Sequence, residues 1–291
     1  MAVGNLIELA NTATVNKVLS KVASPALQKS PVMLNLIYAE DMPDKMATAT
    51  RGFRKKGNLT GAALAESTAL AIGANGERTD SVVDITAAKA VVVSGVTVEN
   101  QKFGQVNLAE YAEDAGTAIG NFIDDQIIAG FSSFTNLVTA TAGLTLNDLD
   151  EGQYSILTAG TPDPSIPLIF VGQTRAMRNL KQEIREAGGS AIQSERFLSI
   201  FDGPPQANGY YGSLPGYELY HTASGFSTTG GNNIQALFHR KWAFAGIFDK
   251  AIQTWYANKG SEGFYTEIAS YFFWGAGIWN NLAGCEIQSD T

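Results

Sequence analysis

Two histidines and one cysteine are all that this 291-residue chain holds of the side chains that most often bind transition metals or act as nucleophiles near neutral pH. With His221 and His239 well separated and Cys285 alone, a zinc site of the His/Cys kind is hard to assemble. A single cysteine also excludes an intrachain disulfide, fits a reducing compartment, and reads as a buried, inert thiol. Charge is sparse as well: 16% of the residues are Asp, Glu, Lys or Arg, against the usual quarter. So charge-poor an exterior is common where much of the surface ends up against partners.

Catalytic signatures are missing in the same way. The sequence has no H-E-x-x-H, no C-x-x-C and no G-x-x-x-x-G-K-S/T, and GANG (73–76) lacks the spacing of a dinucleotide loop. GFSSF (130–134) and YGSLPG (211–216) place serines near glycines without forming G-x-S-x-G, and read as a helix end and a turn. Asp124-Asp125 and Asp148/Asp150/Glu151 could hold a hard cation, but DLDEG brings its glycine one residue too early for a calcium loop. The start, MAVGNLIELANTATVNK, is not a basic stretch followed by an apolar run, so no signal peptide is expected. The best membrane candidate, 268–285, carries Asn280, Asn281 and three glycines, and suits aromatic-rich core strands better than a lipid-spanning helix.

What is present is unevenly spread. Residues 1–60 carry a net charge of +4 and the remainder −12, so the two parts could attract each other between copies of the chain. With a pI near 4.8, the chain as a whole is a poor nucleic-acid binder. The cationic cluster RGFRKKG (51–57) is the exception that needs a reason: a phosphate grip, a solvated loop or a contact for another subunit.

Local patterns follow. Residues 1–40 start helix-like and are then broken by Pro25 and Pro31, which suits an arm lying along a surface. Segment 47–84 has only seven large apolar side chains in 38 residues, too little bulk to order itself within one subunit. Residues 82–98 read as one long strand, with Ser94-Gly95 predicted to bend it. Residues 107–130 place Leu108, Tyr111, Ala115, Ile119, Phe122, Ile123 and Ile127 on one helical face, with Asn107 and Glu110 as a capping box. Ala112, Gly116 and Gly120 form a flat strip beside it. From 146 to 250 the chain alternates helix and strand: a helix opening near Asn147, a buried LIFV strand, a helix from Thr174 burying Met177, Leu180 and Ile184, and a strand at YELYHT. Arg175, Arg178, Lys181 and Arg185 form a cationic stripe on that second helix, which suits a solvated face or a binding surface. The aromatic-rich last sixty residues supply a β-rich core.

This order of elements resembles a family. AALAESTALAIG, DITAAKAVVVSGVTVENQKFG running into NLAEYAEDAGTAIGNFIDDQIIAGF, PLIFVGQTRAMRNLK, and GSLPGYELYHT followed by ALFHRKWAFAGIFD are similar to the tailed-bacteriophage major capsid proteins of the Hong Kong 97 fold. The likeness spans nearly the whole chain as a pattern of elements. It implies an α+β fold with an N-terminal arm (1–45), an extended β-hairpin E-loop (46–84), and a P domain (85–139) whose spine helix is 107–130. An α/β A domain (140–235) and return strands completing the A and P domains (236–291) follow.

The resemblance further implies a non-enzymatic, cofactor-free shell protein that self-assembles through hexamers and pentamers around double-stranded phage DNA, which it contacts only non-specifically. It would be a virion component, assembled in the host cytoplasm without a membrane. Many relatives carry a long N-terminal scaffolding region for which this chain has no room, so a separate scaffold or scaffold-free assembly is implied, with portal and cement proteins as further partners. The expected subunit-interface residues are Arg51, Phe53, Arg54, Lys55, Lys56 and Arg78 in the loop, and Arg175, Arg178, Lys181 and Arg185 on the helix. Lys55 and Lys56 lie where some relatives form isopeptide crosslinks, but the partner Asn and the catalytic Glu have no match. An encapsulin-like shell of the same fold, or a soluble α/β enzyme using clustered carboxylates, are the alternatives.

Overall fold

The computed structural model describes residues 16–25, 27, 31–43, 49–55, 81–97, 108–140, 143–159, 168–187, 209–214, 216–222, 226, 228–229, 232–259 and 265–290. After a helical segment at 16–25 come β1 (Tyr38–Asp41), β2 (Thr50–Lys55), β3 (Ser81–Thr86) and β4 (Ala88–Thr97). The long helix α1 (Leu108–Ala129) leads to β5 (Asn136–Thr139), α2 (Leu146–Thr158), β6 (Leu168–Gly172) and α3 (Thr174–Ala187). The rest is strand: β7 (Tyr210–Leu214), β8 (Tyr217–His221), β9 (Thr228–Thr229), β10 (Asn232–His239), β11 (Phe244–Phe248), β12 (Gln253–Lys259), β13 (Tyr265–Ile278) and β14 (Gly284–Asp290).

These strands make two main sheets and a separate hairpin. One sheet runs β5-β14-β10-β6-β8-β7, with β9 on β10; the other runs β1-β11-β13-β12, with β4 on the opposite side of β13. In the first sheet successive side chains serve opposite cores, because a strand presents alternate residues to its two faces. Ile169, Val171, Ile234, Ala236 and Phe238 join the core beneath α1, while Leu168, Phe170, Leu237, Cys285 and Ile287 join the one under α2 and α3. A strand covered on both faces reads as an unbroken apolar run, which is why LIFV was legible. The uncharged 268–285 stretch is strand β13, a turn and the start of β14. Among the described residues no helix is long and apolar enough to cross a membrane.

Both helices of the mixed region form where their spacing predicts. α2 begins on a capping box: the Asp148 N–H donates to Thr145 Oγ1 at 3.3 Å and the Thr145 N–H donates to Asp148 Oδ2 at 2.8 Å. The DLDEG carboxylates therefore lie on a helix and not in a calcium loop. The Leu146 N–H donates to Glu183 Oε2 of α3 at 2.7 Å, tying the two helices together, and Met177, Leu180 and Ile184 are buried as expected. Helix α1 buries Ala115, Ile119, Ile123 and Ile127, and its Ala112–Gly116–Gly120 strip is buried within the chain as well. Phe122 differs from its expected inward place: it is 46% exposed, its ring edge-on to Trp274 at 5.9 Å. The expected Asn107 cap lies outside the described residues.

Two expectations are corrected. The bend in the 82–98 strand is not at Ser94-Gly95, which pair with Ile268 and Glu267 in regular register. The break is at Ala87, where the chain changes partner: β3 pairs with β2, β4 with β13. There the Ala87 N–H donates to the Ala49 carbonyl at 2.6 Å, and the Thr86–Ala87 backbone crosses so close to Gly275 that a Cβ would sit 2.5 Å from the Thr86 carbonyl oxygen. Nor do residues 31–41 lie along the surface. Val32, Met33, Leu36 and Ile37 are core, and β1 pairs in parallel with β11.

A buried acid holds this segment down. Asp124 of α1 is 3% exposed, accepting the Val32 N–H at 2.6 Å and the Met33 N–H at 3.0 Å. Burial pushes its carboxyl up to about 7, outweighing the two N–H bonds that favour the charged form. Further back, Leu19 and Ala23 of the 16–25 segment join the same core, and Ser20 Oγ accepts the Thr254 N–H of β12 at 2.9 Å.

Candidate functional site

The cationic cluster turns out to be strand β2, so its side chains alternate. Arg51, Phe53 and Lys55 face the body of the same chain. The Arg51 guanidinium pairs with Glu40 at 2.5 Å, and Lys55 Nζ donates to Asn280 Oδ1 at 2.6 Å. Between them Phe53, 4% exposed, enters a small core with Ile85, Ala245 and Ile247. Its ring stands perpendicular to Tyr38 at 6.2 Å and lies 6.4 Å from Trp279, which stacks on Trp242 at 5.8 Å. Tyr38 donates to Glu40 Oε1 at 2.9 Å, a bond that raises the phenol's pKa. The exposed Arg51–Glu40 pair contributes at most about 1 kcal/mol; buried Phe53 holds the hairpin base more firmly.

Arg54 points the other way and is exposed, opposite the 62% exposed Val82 in the β2–β3 register. Lys56 and Arg78 lie outside the described residues. On α3, Arg175 and Arg178 are exposed and Lys181 is half-buried, on the side away from Met177 and Leu180; nothing is described of the Arg185 side chain. Among the described residues of this set, Arg51, Phe53 and Lys55 make the contacts within the subunit given above, while Arg54 on β2 and Arg175 and Arg178 on α3 are exposed.

One surface was missed by sequence reasoning. The outer face of β4, β13 and β12 exposes Val91 (48%), Val93 (59%), Trp255 (44%) and Phe273 (37%). The pairing register puts Val93, Ala269 and Trp255 in one row and Val91, Tyr271 and Gln253 in the next, so the patch is continuous. Lys89 Nζ sits 4.1 Å above the Tyr271 ring centre at its margin. Alternation was the available signal: Val91 and Val93 share one parity of a strand whose other parity is also apolar.

Titratable groups elsewhere are absorbed by packing. Burial raises Cys285 to about 12, leaving an unreactive thiol. Tyr217 donates to Asp150 and, at 2.8 Å, to Gln153 Oε1, and its pKa is raised by burial first and Asp150 second. His221 Nε2 lies 2.5 Å from Thr174 Oγ1, and burial lowers its pKa. Among the described residues no three His, Cys, Asp or Glu converge as metal ligands would.

No family model matches the sequence, and no curated relative does. Solved structures do match. The capsid of Ralstonia phage GP4 superposes with a TM-score of 0.64 at 12% identity, covering 88% of this chain and 87% of that one. The acid-stable capsid structure of Helicobacter pylori bacteriophage KHP30 gives 0.63 at 12% identity and 88% of both chains. A structure from Mycobacterium phage Ogopogo gives 0.63 at 14% identity, covering 89% and 92%. At such identities the likeness establishes architecture: over nearly its whole length this chain has the fold of phage capsid proteins.

Proposed function

We propose that this chain is a phage-type major capsid protein, whose copies form hexamers and pentamers that close an icosahedral shell around double-stranded DNA. The observation that carries the reading is the match to phage capsid chains over 88% of this one, with similar coverage of theirs. The exposed apolar sheet face supplies surface that self-association would cover.

In this reading α1 is the spine helix and residues 46–84 are the extended loop, held to the subunit at its base by Phe53, Arg51 and Lys55. Arg54, Lys56 and Arg78, together with the α3 stripe, then meet acidic surfaces of neighbouring copies, setting register more than affinity. A separate scaffold, a portal and cement proteins complete the particle, which assembles in the host cytoplasm. The net charge of −8 suits a wall that does not grip packaged DNA.

Electron microscopy of the purified chain, with light scattering across salt and crowding conditions, tests this. Closed shells of uniform size are expected. A population that stays at 31.0 kDa monomers or small oligomers under every condition would overturn it.

A further inference from the structure

Among the described residues strand β4 is an edge of its sheet. Among the described residues β13 is the strand that pairs with it, and the other side of β4 opens onto a groove of about 290 Å³. Four consecutive residues, Lys89 to Val92, line that groove together with Ile119 and Phe122 of α1. Neighbouring residues of a strand point to opposite faces, so all four can border one cavity only along the strand's open backbone edge. Proteins usually protect such edges with proline, bulges or inward charges. Here Ala90–Gly95 reads AVVVSG, with no charge and no proline, and Val91 and Val93 are the exposed valines already described.

We propose that this edge is homotypic: two copies of the chain join β4 to β4, antiparallel, about a two-fold axis at Val92. The inference rests on the self-assembly reading only in requiring a second copy. In this register Val91 of each copy lies opposite Val93 of the other, extending the apolar face across the junction. Lys89 of each copy falls opposite Gly95 of the other. Gly95 has no side chain and is paired on its far side with Glu267, so lysine and glutamate can meet across it. The self-pairing thus places opposite charges in one row and like charges in none.

The helices agree with this arrangement. α1 packs on both β4 and β13, so its axis lies roughly between them. Joining two edges at the usual strand spacing of about 4.8 Å brings the two α1 axes to roughly 10 Å, the separation of packed helices. Ala118 and Phe122, exposed one turn apart, would then fill the space between them. That gives the outward-turned Phe122 a partner. The area is modest for a free dimer, so the contact belongs to a repeated lattice.

Paired cysteines test the register. Buried Cys285 does not compete. Val91→Cys with Val93→Cys should give a disulfide-linked dimer on mild oxidation, in assembled particles and in the concentrated unassembled chain. Either single variant should give none, because like positions sit diagonally at about 8 Å, beyond disulfide reach. Separately, Val91→Lys with Val93→Lys should weaken the pairing about tenfold, and Val91→Lys with Val93→Glu should restore it. Shells that form normally with no cross-link, and with the double-lysine variant unaffected, would overturn the edge pairing while leaving the shell reading intact. Cross-linking without shells would do the reverse, and no cross-link in either sample overturns the pairing.

Discussion

Asp124 couples the stability of the chain to pH. The folded chain keeps this carboxyl protonated up to about pH 7, whereas an ordinary aspartate releases its proton near 3.8. Between those values the folded state binds a proton that the unfolded state does not, so stability falls as pH rises through the window. The full difference corresponds to a loss of up to roughly 4 kcal/mol between pH 4 and pH 8. Urea unfolding of the unassembled chain at intervals from pH 5 to pH 8 reads it directly. Asp124→Asn removes the titration and turns an amide N–H toward one of the two donors, Val32 or Met33, at a cost of about 1–3 kcal/mol relative to the wild type with its carboxyl protonated. The variant should therefore be flatter with pH than the wild type: less stable near pH 4, level with it where the wild type's loss equals the cost of the substitution, and the more stable of the two by pH 8. Other groups, including His221, titrate in both proteins, so the difference between the two slopes isolates Asp124. Equal slopes in the two proteins would refute the reasoning.

Phe53→Ala should cost about 3 kcal/mol, the low end for a buried phenylalanine because its core is small, and hydrogen exchange should rise in β2 and β3 before the main sheets. Deleting residues 57–79, which spares Phe53 and Lys55, should leave the melting transition of the subunit nearly unchanged while preventing closed shells; loss of folding would contradict the extended-loop reading. Gly284→Ala should destabilise by about 1–3 kcal/mol, since a Cβ there overlaps the ring of Phe134, which packs against Phe131 and Phe244. Reversing Arg175 and Arg178 to Glu should leave thermal stability within about 0.5 kcal/mol but make assembly salt-sensitive or defective, as scattering kinetics would record.

Elements whose own residues dictate them were legible. The 3.6-residue spacing marked α1 and α3, and an unbroken apolar run marked β6, because in each the buried face is written locally. What escaped depends on distant partners. Nothing in 82–98 distinguishes Ala87 from its neighbours; the break exists because β2 claims one half and β13 the other. Arg51, Phe53 and Lys55 read as a charge cluster, since the cations masked a two-residue alternation whose inward targets, Glu40 and Asn280, lie elsewhere in the chain. Asp124 looked like half of a carboxylate pair, and its role became visible only when backbone donors some ninety residues earlier came to meet it. Of the β7–β8 hairpin, β8 was legible as the strand at YELYHT and the turn as YGSLPG, where Gly216 lies at φ +92°; β7 itself was hidden in Gly- and Tyr-rich sequence.

The junction at Ala87 has a mechanical consequence. No flexible linker separates the hairpin from the sheet: Ala87 alone lies between the last hairpin residue, Thr86, and the first residue of β4, Ala88, and the Thr86–Ala87 backbone is pressed against Gly275. Gly275 acts as a fulcrum, and β3 and β4 are the two arms of a lever across it. A load applied at the hairpin would not dissipate in a loop but would arrive as torque on β4, and through β4 on the long helix packed behind it.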